Sequence, residues 1–497
     1  MKYFSQIGFM EMEIQDQIDC AVIGSGIGGL NAAAMLSLAG KKVAVFERLP
    51  FIGGRCASYE KNGFTVDFGV HAFANGRNGP LHTPIKKAIE KGLFDYEIIQ
   101  WKVLNPVLKY KDDYIRTYLP LNFKNLIKTG VSFMRSKVSL QEKKMFLKLN
   151  KKFRSFSEAE LNSLKNISVK QLIDRYTDLT FPHVMMAISS DSYSVVPYNK
   201  VSALDFVEVY KQAYERGGIS YPIGGCGAIP NAYKAIIEKC GGKIFTNTPI
   251  ESLIVEETDL GWKVKGIRLK NSKKEIEVGT VVSNVNWKDT YHMLLKGKYF
   301  SEEIAQKINS METSYSSMIA HVALDKKLIK EQFVMKAATL KPEEIHKRRA
   351  NGEFVKEVGC FMPIVSNVDT NLAPEGKQLA LAGIGVSYKQ AKDKELMKEL
   401  ILHNLQELDQ SGDNIRDHIE WIDLFGPKEL ENMFGEQGAI IGLAQQIGQV
   451  RDQRLSNQTE IEGLFHCGDD SGTNLFGVGT ELAALSGQNT AKLIVKR

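Results

Sequence analysis

The stretch Gly24-Ser25-Gly26-Ile27-Gly28-Gly29, with Glu47 eighteen positions beyond its last glycine, carries the most specific chemistry in this sequence. In a GxGxxG pattern Gly24 makes a tight turn, Gly26 lets backbone approach a pyrophosphate, and Gly29 lets a helix pack closely on a strand. Ser25, Ile27 and Gly28 complete the loop. An acid ending the next strand accepts hydrogen bonds from ribose hydroxyls, so Glu47 points to a dinucleotide without a 2′-phosphate. The flanking residues supply the elements that position this chemistry. Val22-Ile23 is a β-branched run, Leu30 to Leu38 has helical apolar spacing, and Val43-Ala44-Val45-Phe46 reads as a second strand. The order is strand, turn, helix, strand, and the helix N-terminus faces the anion.

Length and composition set the frame. A chain of 497 residues exceeds the size at which one core stops growing, which predicts two domains. Its 43% apolar and 25% charged content is that of an ordinary globular protein, and a net charge of +6 is small for the length. The six cysteines form no CxxC pair, which argues against a zinc site or a redox dithiol and fits a reduced, cytoplasmic setting. Residues 1–16 read as an N-terminal extension without the apolar core of a secretory leader. Cys20 to Gly40 has the length of a membrane span, but its glycines, Ser25 and Asn31 suit the nucleotide turn, so no transmembrane helix is expected. HExxH, GxSxG and Walker motifs are absent, as is a second GxGxxG after a strand.

Glu47 is followed by Arg48, then by Gly53-Gly54-Arg55 and by Gly63-Phe64-Thr65-Val66-Asp67-Phe68-Gly69-Val70-His71. Paired glycines allow close backbone approach, and Arg55 offers a planar fork of donors. An acid ending the second strand, a Gly-Gly-Arg turn and a short strand with Asp-x-Gly together resemble the amine oxidase and phytoene desaturase superfamily of FAD proteins. Over essentially the whole chain the sequence is similar to the phytoene desaturase-like group, which includes carotenoid desaturases, carotenoid isomerases and retinol saturases. The resemblance implies FAD as cofactor, with Arg48, Gly54, Arg55, Gly69, Val70 and His71 beside it. His71 is a candidate site residue near the flavin ring; a structural histidine is the other reading. Further along, Tyr221-Pro222-Ile223-Gly224-Gly225-Cys226-Gly227 leads into a helix from Ala228 to Lys239, and strands are expected at 243–245, 250–255, 262–269 and 275–282. The resemblance places Gly224, Gly225 and Ile250 against FAD. Near the C-terminus, Gly463-Leu464-Phe465-His466-Cys467-Gly468-Asp469 is a strand ending in Gly-Asp, followed by Gly477-Val478-Gly479-Thr480 and a helix to about Val495. By resemblance Gly468 and Asp469 meet the ribityl and pyrophosphate groups, and Val478, Gly479 and Thr480 open a helix aimed at the flavin pyrimidine ring. A helix N-terminus there stabilises the negative charge that grows as flavin accepts hydride. The chain departs from relatives that have Arg-Pro where it has Arg454-Leu455, and its Gly477 to Leu482 lacks the proline- and glycine-rich form found in bacterial phytoene desaturases.

The expected fold is α/β. A discontinuous Rossmann-like FAD-binding domain (17–75, 215–290 and 445–497) receives an inserted α+β substrate domain (76–214 and 291–444). Within the insertion, Asn122 to Arg154 carries ten Lys and Arg against the single acid Glu142, with apolar residues interleaved. Such a segment either lies on an anionic membrane surface or forms a solvated basic face. Nucleic acid is not an expected partner, since no binding module accompanies the charge. With no hydrolytic or metal constellation, the flavin is the expected reactive centre. The leading expectation is an FAD oxidoreductase that desaturates, saturates or isomerises an isoprenoid or other lipid, a hydrophobic small molecule. The alternatives are an oxidase of amines or other polar molecules, and a prenyl-binding protein like the Rab GDP dissociation inhibitors.

Overall fold

The strand Cys20–Ile23 is the middle of a five-stranded sheet in which every pairing is parallel. Val281–Ser283 and Val43–Phe46 flank it, with Leu464–His466 and Lys243–Phe245 at the two edges. This computed structural model describes residues 17–497 apart from 70–71, 120–121, 216–217, 351–352, 354, 356–357, 387–389 and 410. The extension 1–16, Val70 and His71 thus lie outside the described residues. Strand order reverses beside the first strand, which opens a crevice at the carboxyl ends, where α/β sheets bind ligands.

The helix Ile27–Leu38 is buried along its entire length. Its sequence lacks a polar stripe, and the fold uses that by packing it against Gly479–Val495 and Ala228–Lys239. The helix starts at Ile27, earlier than the spacing from Leu30 predicts, because Gly28 and Gly29 are taken into its first turn. The strand expected over 275–282 is two strands. Glu275–Glu277 pairs antiparallel with Gly261–Leu269, and Val281–Ser283 enters the parallel sheet, so the chain changes sheets between them.

The rest of the site stands on a seven-stranded mixed sheet. Its order is Ile419–Phe425, Ser316–Leu324, Gln378–Val386, Cys360–Pro363, Phe333–Lys336, Val107–Tyr110 and Asp113–Arg116. Helices Phe123–Arg135, Leu140–Ser155, Thr180–Tyr193 and Ala203–Glu215 belong to the same half. One apolar core joins the halves: Leu30 of the nucleotide helix and Phe333 of the mixed sheet belong to the same buried cluster. Among the described residues no helix is long and apolar enough to cross a membrane.

The basic segment forms two helices, capped by Asn122 and Ser139. Phe133, Leu149 and Phe153 turn inward. Lys143 is an exception within this basic segment: it is buried and donates to the carbonyls of Met134 and Ser136, closing the preceding helix. Lys152 pairs with Glu160. Phe123, Leu126, Ile127, Val131, Met134, Leu140 and Leu147 remain exposed.

Candidate functional site

Glu47 folds its carboxylate back over the glycine loop. One oxygen accepts from the Ser25 amide at 2.8 Å and the Ser25 hydroxyl at 2.7 Å, the other from the Leu49 amide at 2.8 Å. A carboxylate has about four lone-pair directions, so capacity remains for a ribose hydroxyl. Gly24 has φ +93°, a left-handed turn that favours glycine. A Cβ at Gly29 would lie 2.3 Å from the Gly24 carbonyl oxygen, one at Gly26 2.8 Å from Asn284 Oδ1, and one at Gly28 2.9 Å from Asn284 Nδ2. Asn284, just past the strand Val281–Ser283, therefore lies against the whole loop. Its amide donates to Cys467 O at 2.9 Å, and its buried Oδ1 has no partner among the described residues. Gly26 caps the helix without a side chain, which leaves the first-turn amides to an anionic ligand.

The Gly-Gly-Arg turn docks on this loop through the Gly53 amide, which donates to Ser25 O at 2.9 Å. Gly54 follows in a left-handed conformation at φ +56°. Arg55 reaches away from it, its Nε donating to Ala439 O at 3.2 Å, its guanidinium paired with Glu436 and lying 5.7 Å from the Phe434 ring centre. Arg48 donates to Met433 O at 2.5 Å. Gly69 packs so tightly on Arg55 that a Cβ would come within 2.8 Å of the arginine carbonyl oxygen.

Two acids hold the turn at Gly224 and Gly225. Asp67 accepts from Ser58 Oγ at 2.6 Å, Tyr221 OH at 2.5 Å and the Cys226 amide at 2.9 Å, and Asp369 accepts from the Gly224 amide at 2.8 Å. Ile250 opens the strand Ile250–Thr258 and packs in a cluster with Phe46 and Phe245, next to the end of the Glu47 strand.

On the opposite wall, Asp469 accepts from the Gly442 amide at 2.7 Å. A Cβ at Gly442 would lie 2.5 Å from Asp469 Oδ1 and 2.8 Å from Glu436 Oε1, so the two carboxylates converge on that glycine. Burial, and then the Glu436 charge, push the Asp469 carboxyl up to about 6, opposed by Arg55, the Gly442 amide and Arg454. Neighbouring Asp470 is driven up by burial and by Asp469, and accepts from the Trp287 amide at 3.1 Å. Gly468 precedes them, where a Cβ would meet Asp470 Oδ1 at 2.7 Å. Val478 caps the last helix, which begins at Gly479-Thr480; Glu481 in its first turn accepts from the Asn75 amide at 3.0 Å and its side chain at 2.8 Å.

The structure thus brings Arg55, Gly69, Asp469 and residues 478–480 around one strap, 435–442. Sequence reading missed Glu436 in that strap, and its only trace was the flanking Gly435 and Gly438. The departure at Arg454 resolves as a buried anchor: its guanidinium donates to Leu475 O at 2.6 Å and Gln445 Oε1 at 2.5 Å and faces Asp205 at 3.4 Å.

From this junction a cavity of about 1230 Å³ runs into the second half of the molecule. Gly69, Ile440, Ile441 and residues 477–481 border it at one end; Phe73, Ile219, Ile319, Phe333, Val358, Phe361 and Ile384 line its walls, with Val184, Ala187, Ile188 and Asp191 along one helix face.

This chain belongs to the flavin containing amine oxidoreductase family, whose profile matches residues 27–495. It is 27% identical over 318 residues to human all-trans-retinol 13,14-reductase, covering 58% of this chain and 50% of that one. To the chloroplastic prolycopene isomerase of Daucus carota it is 26% identical over 436 residues, covering 78% and 66%. The chain spans about half the length of the retinol reductases it matches. A crystal structure of an oxidoreductase from Methanosarcina mazei has the same fold, with a TM-score of 0.72, 20% identity and coverage of 95% and 99%. The cofactor is FAD, the flavin that is a dinucleotide. The residues present fit it: a cradle with no room for a Cβ, an acid beside the glycine loop with acceptor capacity left, first-turn amides without a side-chain cap, and the orphaned Asn284 Oδ1.

Proposed function

We propose that this protein is an FAD-dependent oxidoreductase acting on carbon–carbon bonds of an isoprenoid, carotenoid-like or related lipid, by desaturation, saturation or isomerisation. The observation that carries this reading is the cavity. It measures about 1230 Å³ with its flavin-facing end included, and its walls are mainly aliphatic and aromatic. A long apolar chain fits such a space. Relatives named for retinol reduction and prolycopene isomerisation support the same substrate class. In this reading, residues 17–75, 215–290 and 445–497 hold the cofactor, and 76–214 and 291–444 enclose the lipid. Bound FAD supplies a ring that accepts or returns hydride. The loop Gly24–Gly29 and Glu47 hold its adenosine diphosphate end, with Ile250 nearby. Arg55, Gly69, Gly224, Gly225, Asp469 and the 478–480 turn position its ring end, and His71 is a candidate beside them. Water exclusion by the apolar walls orients the lipid and protects the reactive carbons.

Contact with an anionic membrane belongs to the same proposal. The exposed apolar residues of Phe123–Arg135 lie among Lys124, Lys128 and Arg135, the combination that interfacial helices use. Behind them Phe133 packs with Val184 and Ile188, which also line the cavity, so the face and the lipid chamber share a wall.

The test is anaerobic incubation of the holoprotein with polyprenyl lipids, watching flavin bleaching, and the reverse incubation of the reduced holoprotein with polyenes, watching reoxidation. Lipids are expected to change the flavin spectrum. Bleaching by amines, with lipids inert in both directions, overturns the reading.

A further inference from the structure

The cavity holds one acid that the fold gives nothing to do. Asp191 lies on the helix Thr180–Tyr193, on the face formed by Val184, Ala187 and Ile188, at the spacing that puts all four on the lumen. Among the described residues no donor or cation pairs with its carboxylate. The other ionisable side chains lining the cavity are Asp393, Glu481, Tyr193, Tyr315 and Cys360; no Lys, Arg or His is among the described lining residues. Asp393 is occupied in capping the helix Lys394–Gln406, and Glu481 is held by Asn75. Cys360 sits in a strand with its thiol pushed up to about 12 by burial.

Hydrogen bonds tie the end of the Asp191 helix to the strap beside the last helix. Four residues beyond it, Val195 O accepts from the Tyr315 amide at 3.1 Å, and Tyr315 O accepts from the Ile440 amide at 3.0 Å. Ile441, next in the chain, comes within 3.0 Å of the Cβ position of Gly479, the residue that opens the last helix. Val195, Tyr315, Ile440, Ile441 and Gly479 all line the cavity, as Asp191 does, so the acid shares one lumen with the flavin-facing turn and lies four residues before the start of this chain of contacts.

We propose that Asp191 is the catalytic acid–base group of the cavity, exchanging with the bound lipid the proton that accompanies hydride transfer. This rests on the function proposed above. In desaturation, one C–H bond of the lipid breaks and its hydrogen leaves with both electrons to oxidised flavin. The adjacent C–H bond breaks with its proton passing to the Asp191 carboxylate, and the pair it leaves behind forms the second bond of the new alkene. In saturation the Asp191 carboxylic acid would return the proton, with the hydride supplied from bound FAD in its reduced state. The chemistry requires a group able to hold the proton in one direction and release it in the other near neutral pH. Asp191 meets that requirement: its side chain is exposed to the lumen, and the protein crowded around it raises its carboxyl to about 7.

Two measurements on the holoprotein decide the matter. The first is binding of a fully saturated isoprenoid hydrocarbon, which cannot react, followed by tryptophan fluorescence. A neutral chain covering the acid favours its protonated form, so affinity should fall by up to about tenfold per pH unit above pH 7. Asp191→Asn should flatten that dependence, while His71→Gln should leave it in place. A flat wild-type profile, or a slope that disappears in His71→Gln and persists in Asp191→Asn, overturns the assignment. The second is single-turnover flavin reduction or reoxidation with polyprenyl lipid. Asp191→Asn should slow it by about 100-fold or more and abolish the step near pH 7, with Asp191→Glu restoring part of the rate. An intact flavin spectrum in the variants reports folding. Equal rates and equal pH profiles in wild type and Asp191→Asn overturn this proposal alone. A wild type inert to every polyprenyl lipid overturns the functional reading and this one with it.

Discussion

Glycine does opposite work at two places in this molecule. Around the cofactor loop it permits contact: a Cβ at Gly29 would lie 2.3 Å from Gly24 O, and one at Gly487 2.4 Å from Gly28 O. In the cavity wall it leaves space, since a Cβ at Gly383 or Gly385 meets nothing within 4 Å. The difference explains why one half of the function is written in exact residue types and the other is not. Backbone contact tolerates a single side chain, whereas volume can be made by many combinations of apolar residues.

The largest effect should come from filling a contact glycine. Gly29→Val drives a branched side chain into the Gly24 carbonyl, so the purified protein should lose its flavin absorbance and about 3 kcal/mol of stability in denaturant titration. Full flavin content in that variant breaks the contrast. Next is Arg55→Ala, which leaves Glu436 and Asp469 facing each other without their nearest cation; FAD affinity should fall roughly 10- to 100-fold, about 2 kcal/mol, read by flavin titration of the apoprotein. A smaller effect is visible in pH. Because the folded Asp469 carboxyl titrates at about 6 against an ordinary 3.8, the native state holds a proton that the unfolded chain has released, and this group's contribution to stability drops as pH rises between those values. Urea midpoints of the apoprotein at pH 4.5 and 6.5 should therefore converge in Asp469→Asn. Gly383→Leu should keep its flavin while kcat/KM for the longest accepted prenyl chain declines about tenfold and that for short chains changes less. Loss of flavin there would show that the two halves are not separable. The smallest effect belongs to the exposed face. Combining Phe123→Ser, Leu126→Ser and Ile127→Ser should weaken co-sedimentation with anionic liposomes about tenfold with flavin content unaltered.

The same contrast governs what could be read from the chain before folding. The tight turn at Gly24, Gly26 and Gly29 and the place of Glu47 at the end of the next strand were legible because that geometry is local. Asp67, Asp369 and Asn284 support the site across long separations, such as the 145 residues between Gly224 and Asp369, and nothing in their immediate neighbours marks them. Lys143 looked like one more lysine in a basic helix, since helical spacing does not disclose that its stem folds back to close the helix before it. The break of the strand expected over 275–282 was hidden for a related reason: both halves are apolar enough for a strand, and only their pairing with different sheets separates them. Asp191 was silent in sequence, an acid near the end of a helix, until the cavity showed what it faces.

The pairing of Leu464–His466 with Val281–Ser283, and of the final helix with Ile27–Leu38, also orders events during synthesis. The glycine loop is translated more than 400 residues before the strand and helix that face it. A nascent chain that has not yet reached them has half a grip on FAD, so the cofactor site and the cavity beside it are completed together, after the rest of both halves has been made.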